Sequence, residues 1–196
     1  GAVTWLGNLS APGGGDIPYS VSHNSGRDAD LAFFLRNSKG EPVVPDDLVP
    51  LDENGEFQTE EGEVYRFDTE RNWTLIEGLV EASDDQLQYI FVSEPLREML
   101  LQEARRRGAD TSVVARAAEL LHQTGGALPH NDHFHLRVYC SRTDVLSGCN
   151  DFGRRLPGYE SHGRAWRAKA RDVADHLDSE HAYVRSAALE RLALLD

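Results

Sequence analysis

The sequence predicts an α+β domain: a mainly antiparallel sheet carrying a zinc site, flanked by helices and followed by a C-terminal helical pair. Three observations predict it. Extended runs with alternating or apolar character at residues 64–68, 88–92 and 133–139 read as strands. Stretches of helical periodicity fall between them, each with its own start and stop signals. Strands and helices alternate irregularly, unlike the regular repeat of a parallel sheet.

A chain of 196 residues suits one well-packed domain with a small helical appendage. With 40% hydrophobic and 27% charged residues it has the composition of an ordinary globular protein. The formal charge of −13 argues against a nucleic-acid partner, which needs a basic face to displace phosphate counterions. No apolar run approaches the roughly 20 residues of a membrane span. No signal peptide is visible, and Gly1-Ala2-Val3 suits a mature chain as well as a cytosolic one.

In chain order, residues 7–22 are turn-rich, with a Gly13-Gly14-Gly15 run, and read as a surface loop. No P-loop lysine follows the glycines, so they do not mark a phosphate cradle. Residues 22–35 begin polar and end as an apolar strand, with the transition at Asp30. His23 and Asp30 are separated by a flexible stretch containing Gly26, so a loop can turn both toward one ion; a solvated turn is the plain alternative. Residues 39–63 hold nine acidic side chains among glycines and prolines and read as a solvated insertion with short strands at most. Their spacing lacks an EF-hand pattern. Asp68 or Thr69 then caps a helix through Glu81 whose Trp73, Leu75, Ile76, Leu79 and Val80 form an apolar stripe. After the strand at 88–92, Ser93, Glu94 and Pro95 open a second helix that Gly108 ends, and Asp110 or Thr111 opens a third that runs on to Gly125-Gly126.

The next strand carries the chemistry. Side chains two apart project the same way, so His133, His135, Arg137 and Tyr139 share one face while Phe134, Leu136 and Val138 share the other. Neutral imidazoles at this spacing suit zinc, one binding the metal and its neighbour handling protons. With His23 and Asp30, His135 completes three protein ligands and leaves a position open, the arrangement of a catalytic site. Cys140 and Cys149 close a short loop just beyond. A disulfide there would contribute about 2–3 kcal/mol and imply an oxidising compartment; two free thiols are the alternative. After residue 152 the composition shifts to a locally basic tail with helices at about 163–177 and 181–195, the second of which resembles one HEAT-type repeat.

The stretches 22–30, Ser-His-Asn-Ser-Gly-Arg-Asp-Ala-Asp, and 133–137, His-Phe-His-Leu-Arg, resemble the two signatures of the penicillin-insensitive murein endopeptidases, within the wider lysostaphin-type and D-alanyl-D-alanine metallopeptidase group. Phe67-Asp68 with Asn72-Trp73, the strand 89–92 and the Cys140 region extend the resemblance over about residues 5–152. It implies a domain at 1–152 that binds one zinc ion through His23, Asp30 and His135; the acidic insertion before residue 64 and the helical tail at 153–196 depart from what the family leads one to expect. It further implies His133 as base or transition-state stabiliser, and His130 as a residue behind the site or against the substrate, where Arg137 is a second candidate. The expected activity is hydrolysis of peptidoglycan cross-links between D-alanine and meso-diaminopimelate, in the periplasm or outside the cell. Related dipeptidases use a glutamate near the last histidine, and none stands at that place here. A D-Ala-D-Ala carboxypeptidase or dipeptidase, and a non-catalytic zinc module binding wall or protein, are the competing readings. Arg27, Arg137 and the basic tail are the candidates for a positive cleft in an otherwise acidic protein.

Overall fold

The computed structural model describes residues 5–10, 17, 23, 26–83, 86–123, 125 and 128–140. The Gly13-Gly14-Gly15 run, Cys149 and the helices expected at 163–177 and 181–195 lie outside them. The chain divides into two compact units, Gly1–Tyr139 and Cys140–Asp196, and the fold below is that of the first.

The first unit is α+β. Its larger sheet has five strands in the spatial order β1 (Leu6–Leu9), β2 (Asp28–Ala32), β9 (His133–Val138), β7 (Leu87–Phe91) and β8 (Leu121–His122). Every pairing in it is antiparallel except β7 with β8. A smaller antiparallel sheet runs β4 (Pro42–Val43), β3 (Leu35–Arg36), β6 (Val64–Phe67) and β5 (Glu56–Gln58). The acidic insertion contributes only the short β4 and β5, as its turn-rich composition predicts.

The helices start where their caps place them. In α1 (Thr69–Ala82) the Asp68 side chain accepts from the Arg71 backbone N–H, and Trp73 and Ile76 are fully buried. The Ser93 backbone is extended before α2 (Glu94–Arg107), and Gly108 ends it at φ 65°, a left-handed conformation that suits glycine. Asp110 caps α3 (Thr111–Leu120) by accepting from the Ser112 and Val113 N–H groups. Leu96, Leu100, Ala104, Ala117 and Leu120 are fully buried on α2 and α3. Asn72, also sealed, accepts from the Phe34 N–H at 3.0 Å and donates to the Phe34 carbonyl at 2.8 Å. It thereby supplies both hydrogen bonds of a strand partner at the step between β2 and β3.

Three boundaries differ from the sequence reading. β2 begins at Asp28, ahead of the apolar run, because pairing with β9 continues through Asp28↔Arg137. α3 stops at Leu120, and the next two residues pair with β7 as β8 instead of prolonging the helix. β1 occupies residues assigned to the leading loop, so the metal candidates sit on the second and last strands. Gly7 explains why its glycine belongs in a strand: a Cβ there would stand 3.1 Å from the Asp30 Cβ. A side chain there would force β1 or Asp30 to give by a few tenths of an ångström.

Candidate metal centre

Cross-strand partners share a face of the sheet, so register decides which side chains meet. Asp30 lies opposite His135, Asp28 opposite Arg137 and Ala32 opposite His133. On the far side of β9, Phe91 is paired with His135 and Tyr89 with Arg137. The opposite face carries Phe134 and Ile90, both fully buried, whose burial contributes about 2–3 kcal/mol each. The same alternation that drives β9 into the core therefore holds His133, His135 and Arg137 on the chemical face. His23, on the segment before β2, is 1% exposed and reaches the same place, with Nε2 3.1 Å from Asp30 Oδ1.

Asp30 Oδ1 is the focus of the cluster. His23 Nε2 lies at 3.1 Å, His133 Nε2 at 3.3 Å and His135 Nδ1 at 3.4 Å. These are electrostatic contacts, for the oxygen is buried and accepts no hydrogen bond among the described residues. Its companion Oδ2 is satisfied by the Asn8 side-chain amide on β1 at 3.0 Å. Burial favours the neutral acid, yet His133, Asn8 and His23 outweigh it and hold the Asp30 carboxyl down at about 2. Burial keeps His23 below the ordinary imidazole value despite the Asp30 charge, which leaves its ring in the neutral, ligand-competent form.

The other histidines are held by their own partners. His135 Nε2 lies 2.7 Å from Asp28 Oδ1, and Arg137 Nε donates to the same oxygen at 2.7 Å. Burial works against the Asp28 charge, but these two donors hold its carboxyl below the usual range. His133 Nδ1 lies 2.6 Å from Asp132 Oδ1. Burial opposes charge on that ring, and Asp132 with Asp30 overcomes it, pushing His133 up to about 9. His130 sits edge-on to both His133 and His135, each at 5.5 Å between centroids, and stacks on Phe91. Burial, reinforced by His133 and His135, pushes it down to about 4. Its backbone carbonyl accepts from the Ser93 N–H at 2.7 Å, which ties the loop before β9 to the start of α2.

Two groups of side chains bring their ligand atoms within 4.8 Å of one another: His23, Asp30 and His135, and His130, His133 and His135. The first fits a zinc ion. It offers two imidazole nitrogens and a carboxylate oxygen, the mixed donor set of a catalytic site, and all three residues are buried. It also contains the sealed carboxylate oxygen without a hydrogen bond, an arrangement that a cation would neutralise. The second group has no carboxylate.

All the candidates from the sequence that fall on described residues cluster here, except Arg27 and Cys140. Arg27 is buried and donates to Gln88 Oε1 at 3.4 Å and to the Val138 carbonyl at 3.3 Å. Cys140 is buried, and its expected partner Cys149 lies outside the described residues. Asp28, Asp132, Asn8 and Gly7 carry no role in the sequence reading, although each touches the cluster or shapes it. Asp28 carried a usable signal: it precedes Asp30 by two, so a strand begun there puts both carboxylates on one face. Asn8 and Gly7 had none, because β1 is four residues of weak strand pattern.

The model of the penicillin-insensitive murein endopeptidase family matches residues 2–182. No curated protein matches the chain.

Proposed function

The chain belongs to the penicillin-insensitive murein endopeptidase family, and from that premise we propose that it is a zinc-dependent DD-endopeptidase that hydrolyses D-alanyl-meso-diaminopimelyl cross-links of peptidoglycan. The observation that carries the metal reading is Asp30 Oδ1, buried, without a hydrogen bond among the described residues, and faced by three imidazoles at 3.1–3.4 Å. In this reading His23, Asp30 and His135 hold one zinc ion. When bound, zinc supplies Lewis acidity, which makes water nucleophilic near neutral pH and polarises the scissile carbonyl.

The remaining work falls to the chain. His133 exchanges a proton at Nε2, the ring nitrogen facing Asp30, while Asp132 anchors the ring through Nδ1. As a base it takes a proton during attack; as a cation it stabilises the developing negative charge, and the Asp132 contact favours that charged form. His130, stacked on Phe91 at the edge of the cluster, and Arg137, whose Cζ lies 5.6 Å from the Phe91 centroid, contact substrate or brace the site. The domain reading remains residues 1–152 for the peptidase and 153–196 for a helical tail. A Cys140–Cys149 disulfide and a periplasmic or secreted location accord with a wall-directed substrate. Among the described residues no helix is long and apolar enough to cross a membrane.

The test is digestion of purified cross-linked muropeptide dimers with and without chelator. The expected result is conversion to monomers that chelator stops, zinc restores and His135→Ala abolishes. Undiminished cleavage by His135→Ala would overturn the assignment, and release of free D-alanine from monomeric stems would move it to the carboxypeptidase reading.

A further inference from the structure

We propose that Asp28 is a positioning residue of the centre: braced by Arg137, its carboxylate fixes the tautomer and orientation of His135, so that Nδ1 and not Nε2 is offered to the metal. The inference rests on the zinc reading above. It assigns a role to a residue that is not itself among the ligands.

The geometry begins with one oxygen. Asp28 has no exposed side-chain surface, and its Oδ1 lies 2.7 Å from His135 Nε2 and 2.7 Å from Arg137 Nε. An ionised carboxylate can only accept, so the His135 nitrogen beside it must carry the hydrogen. A neutral imidazole protonated at Nε2 has its lone pair at Nδ1. That nitrogen is the one 3.4 Å from Asp30 Oδ1, so two lone-pair bearers face each other across a buried gap. The reverse tautomer would give Asp30 a donor but set a lone pair against the Asp28 carboxylate at 2.7 Å. Asp28 therefore decides which end of the ring is free to ligate.

The support is rigid because the sheet provides it. Asp28↔Arg137 and Asp30↔His135 are register partners two residues apart along β2 and β9, which sets Asp28 diagonally beside His135 on one face. Arg137 is held from its other side by the Phe91 ring, 5.6 Å from Cζ to the centroid, and Phe91 in turn meets the His135 ring edge-on at 5.2 Å. Were Asp28 only the counter-ion of Arg137, nothing would call for His135 on the same oxygen. Carboxylate–histidine pairs of this kind set ring orientation and raise ligand basicity, and their loss weakens metal binding about 10- to 100-fold.

The experiment uses Asp28→Asn and Arg137→Gln in the full chain. Zinc affinity is read by competition with a chromophoric chelator, and the His135 tautomer by ring nitrogen-15 shifts of the zinc-free proteins. The inference expects wild type protonated at His135 Nε2, zinc binding weakened about 10- to 100-fold in Asp28→Asn with a redistributed tautomer, and a few-fold weakening in Arg137→Gln. Wild-type affinity together with an unchanged tautomer in Asp28→Asn would overturn it. Should Asp28→Asn not fold, the wild-type spectrum and Arg137→Gln decide, and a wild-type ring protonated at Nδ1 overturns the inference equally. A wild-type protein that neither binds zinc nor cleaves dimers defeats the zinc reading instead, an outcome the zinc-free tautomer measurement keeps separate.

Discussion

Asp68 at the start of α1 and Asp30 in the middle of β2 are both sealed carboxylates, with side chains 1% and 4% exposed, in opposite surroundings. Asp68 is matched by guanidinium groups, although its Oδ2, like Asp30 Oδ1, is a buried oxygen that accepts no hydrogen bond among the described residues. Arg36 Nε lies 2.6 Å from its Oδ2, and its Oδ1 accepts from Arg36 and from the Arg71 backbone. Its cation is a guanidinium, charged at every pH the fold survives. Asp30 is surrounded instead by imidazoles, whose charge is optional and whose nitrogens face Oδ1 at 3.1–3.4 Å. The difference is between a carboxylate matched by permanent cations and one faced by groups that can also ligate a metal ion.

The largest expected effect breaks the comparison on the Asp30 side. Asp30→Asn should lower dimer cleavage about a thousandfold or more, roughly 4 kcal/mol of barrier. In urea, the zinc-free variant should also unfold at a lower concentration than zinc-free wild type, because, against burial, His133, Asn8 and His23 hold the Asp30 carboxyl down at about 2 and that stabilisation of the charged form is lost. An Asn variant that cleaves dimers as wild type does would make Asp30 a structural residue like Asp68. Next in size is metal itself: at a free zinc concentration a thousand times the dissociation constant, chelation should cost about 4 kcal/mol of stability. Thermal melts with and without chelator read this directly, and an unchanged melting temperature would remove the metal from the fold's energetics.

On the other side, Asp68→Ala should cost about 2 kcal/mol by loss of the α1 cap, equally with and without zinc. Urea titration of both forms checks the equality, and a zinc-dependent loss would tie the two carboxylates together. The smallest effect is at Glu103, a second acid completed by guanidinium groups, with Arg106 and Arg107 Nε each at 2.7 Å. The bonds from Arg106, then Arg107, outweigh burial and push its carboxyl down to about 2. A depressed carboxylate stabilises above its unfolded value of 4.5 and ceases to do so as pH falls toward about 2. Glu103→Gln should therefore be less stable at neutral pH and converge with wild type near pH 2. Because Arg106 is 62% exposed, solvent screening keeps the difference near 1 kcal/mol. A constant difference across that range would show that packing, not charge, is what Glu103 contributes.

Much of this was legible in the chain. The helix starts at Asp68 and Asp110 follow from side-chain caps, the start of α2 from Pro95 in its first turn, and the Gly108 stop from its left-handed backbone, so neighbours in sequence suffice to predict them. The meeting of His23, Asp30 and His135 was legible through family resemblance and donor chemistry, not through spacing. What stayed hidden depends on pairing across the sheet. Asp28 matters because Arg137 and His135 lie beside it, a fact of register between strands more than a hundred residues apart. Leu121 continues the apolar period of α3, and only its parallel pairing with Ile90 turns it into a strand. β1 shows itself only in its pairing with β2: in sequence, Leu6–Leu9 is a four-residue stretch of weak strand pattern.

The contact between Leu51 and Asn131 bears on how such a site can diversify. The Leu51 N–H donates to the Asn131 carbonyl at 2.8 Å, and the Asn131 side-chain amide donates back to the Leu51 carbonyl at 2.7 Å. Leu51 itself is buried, so the acidic segment is riveted at this point to the loop that carries His130 and Asp132. The turn at 60–62 is exposed, so a change of length there leaves the rivet in place, whereas Gly55 is buried and an added side chain would meet Phe67 and Met99. The acidic stretch is thus divided into a turn that can vary and a buried border that must hold still.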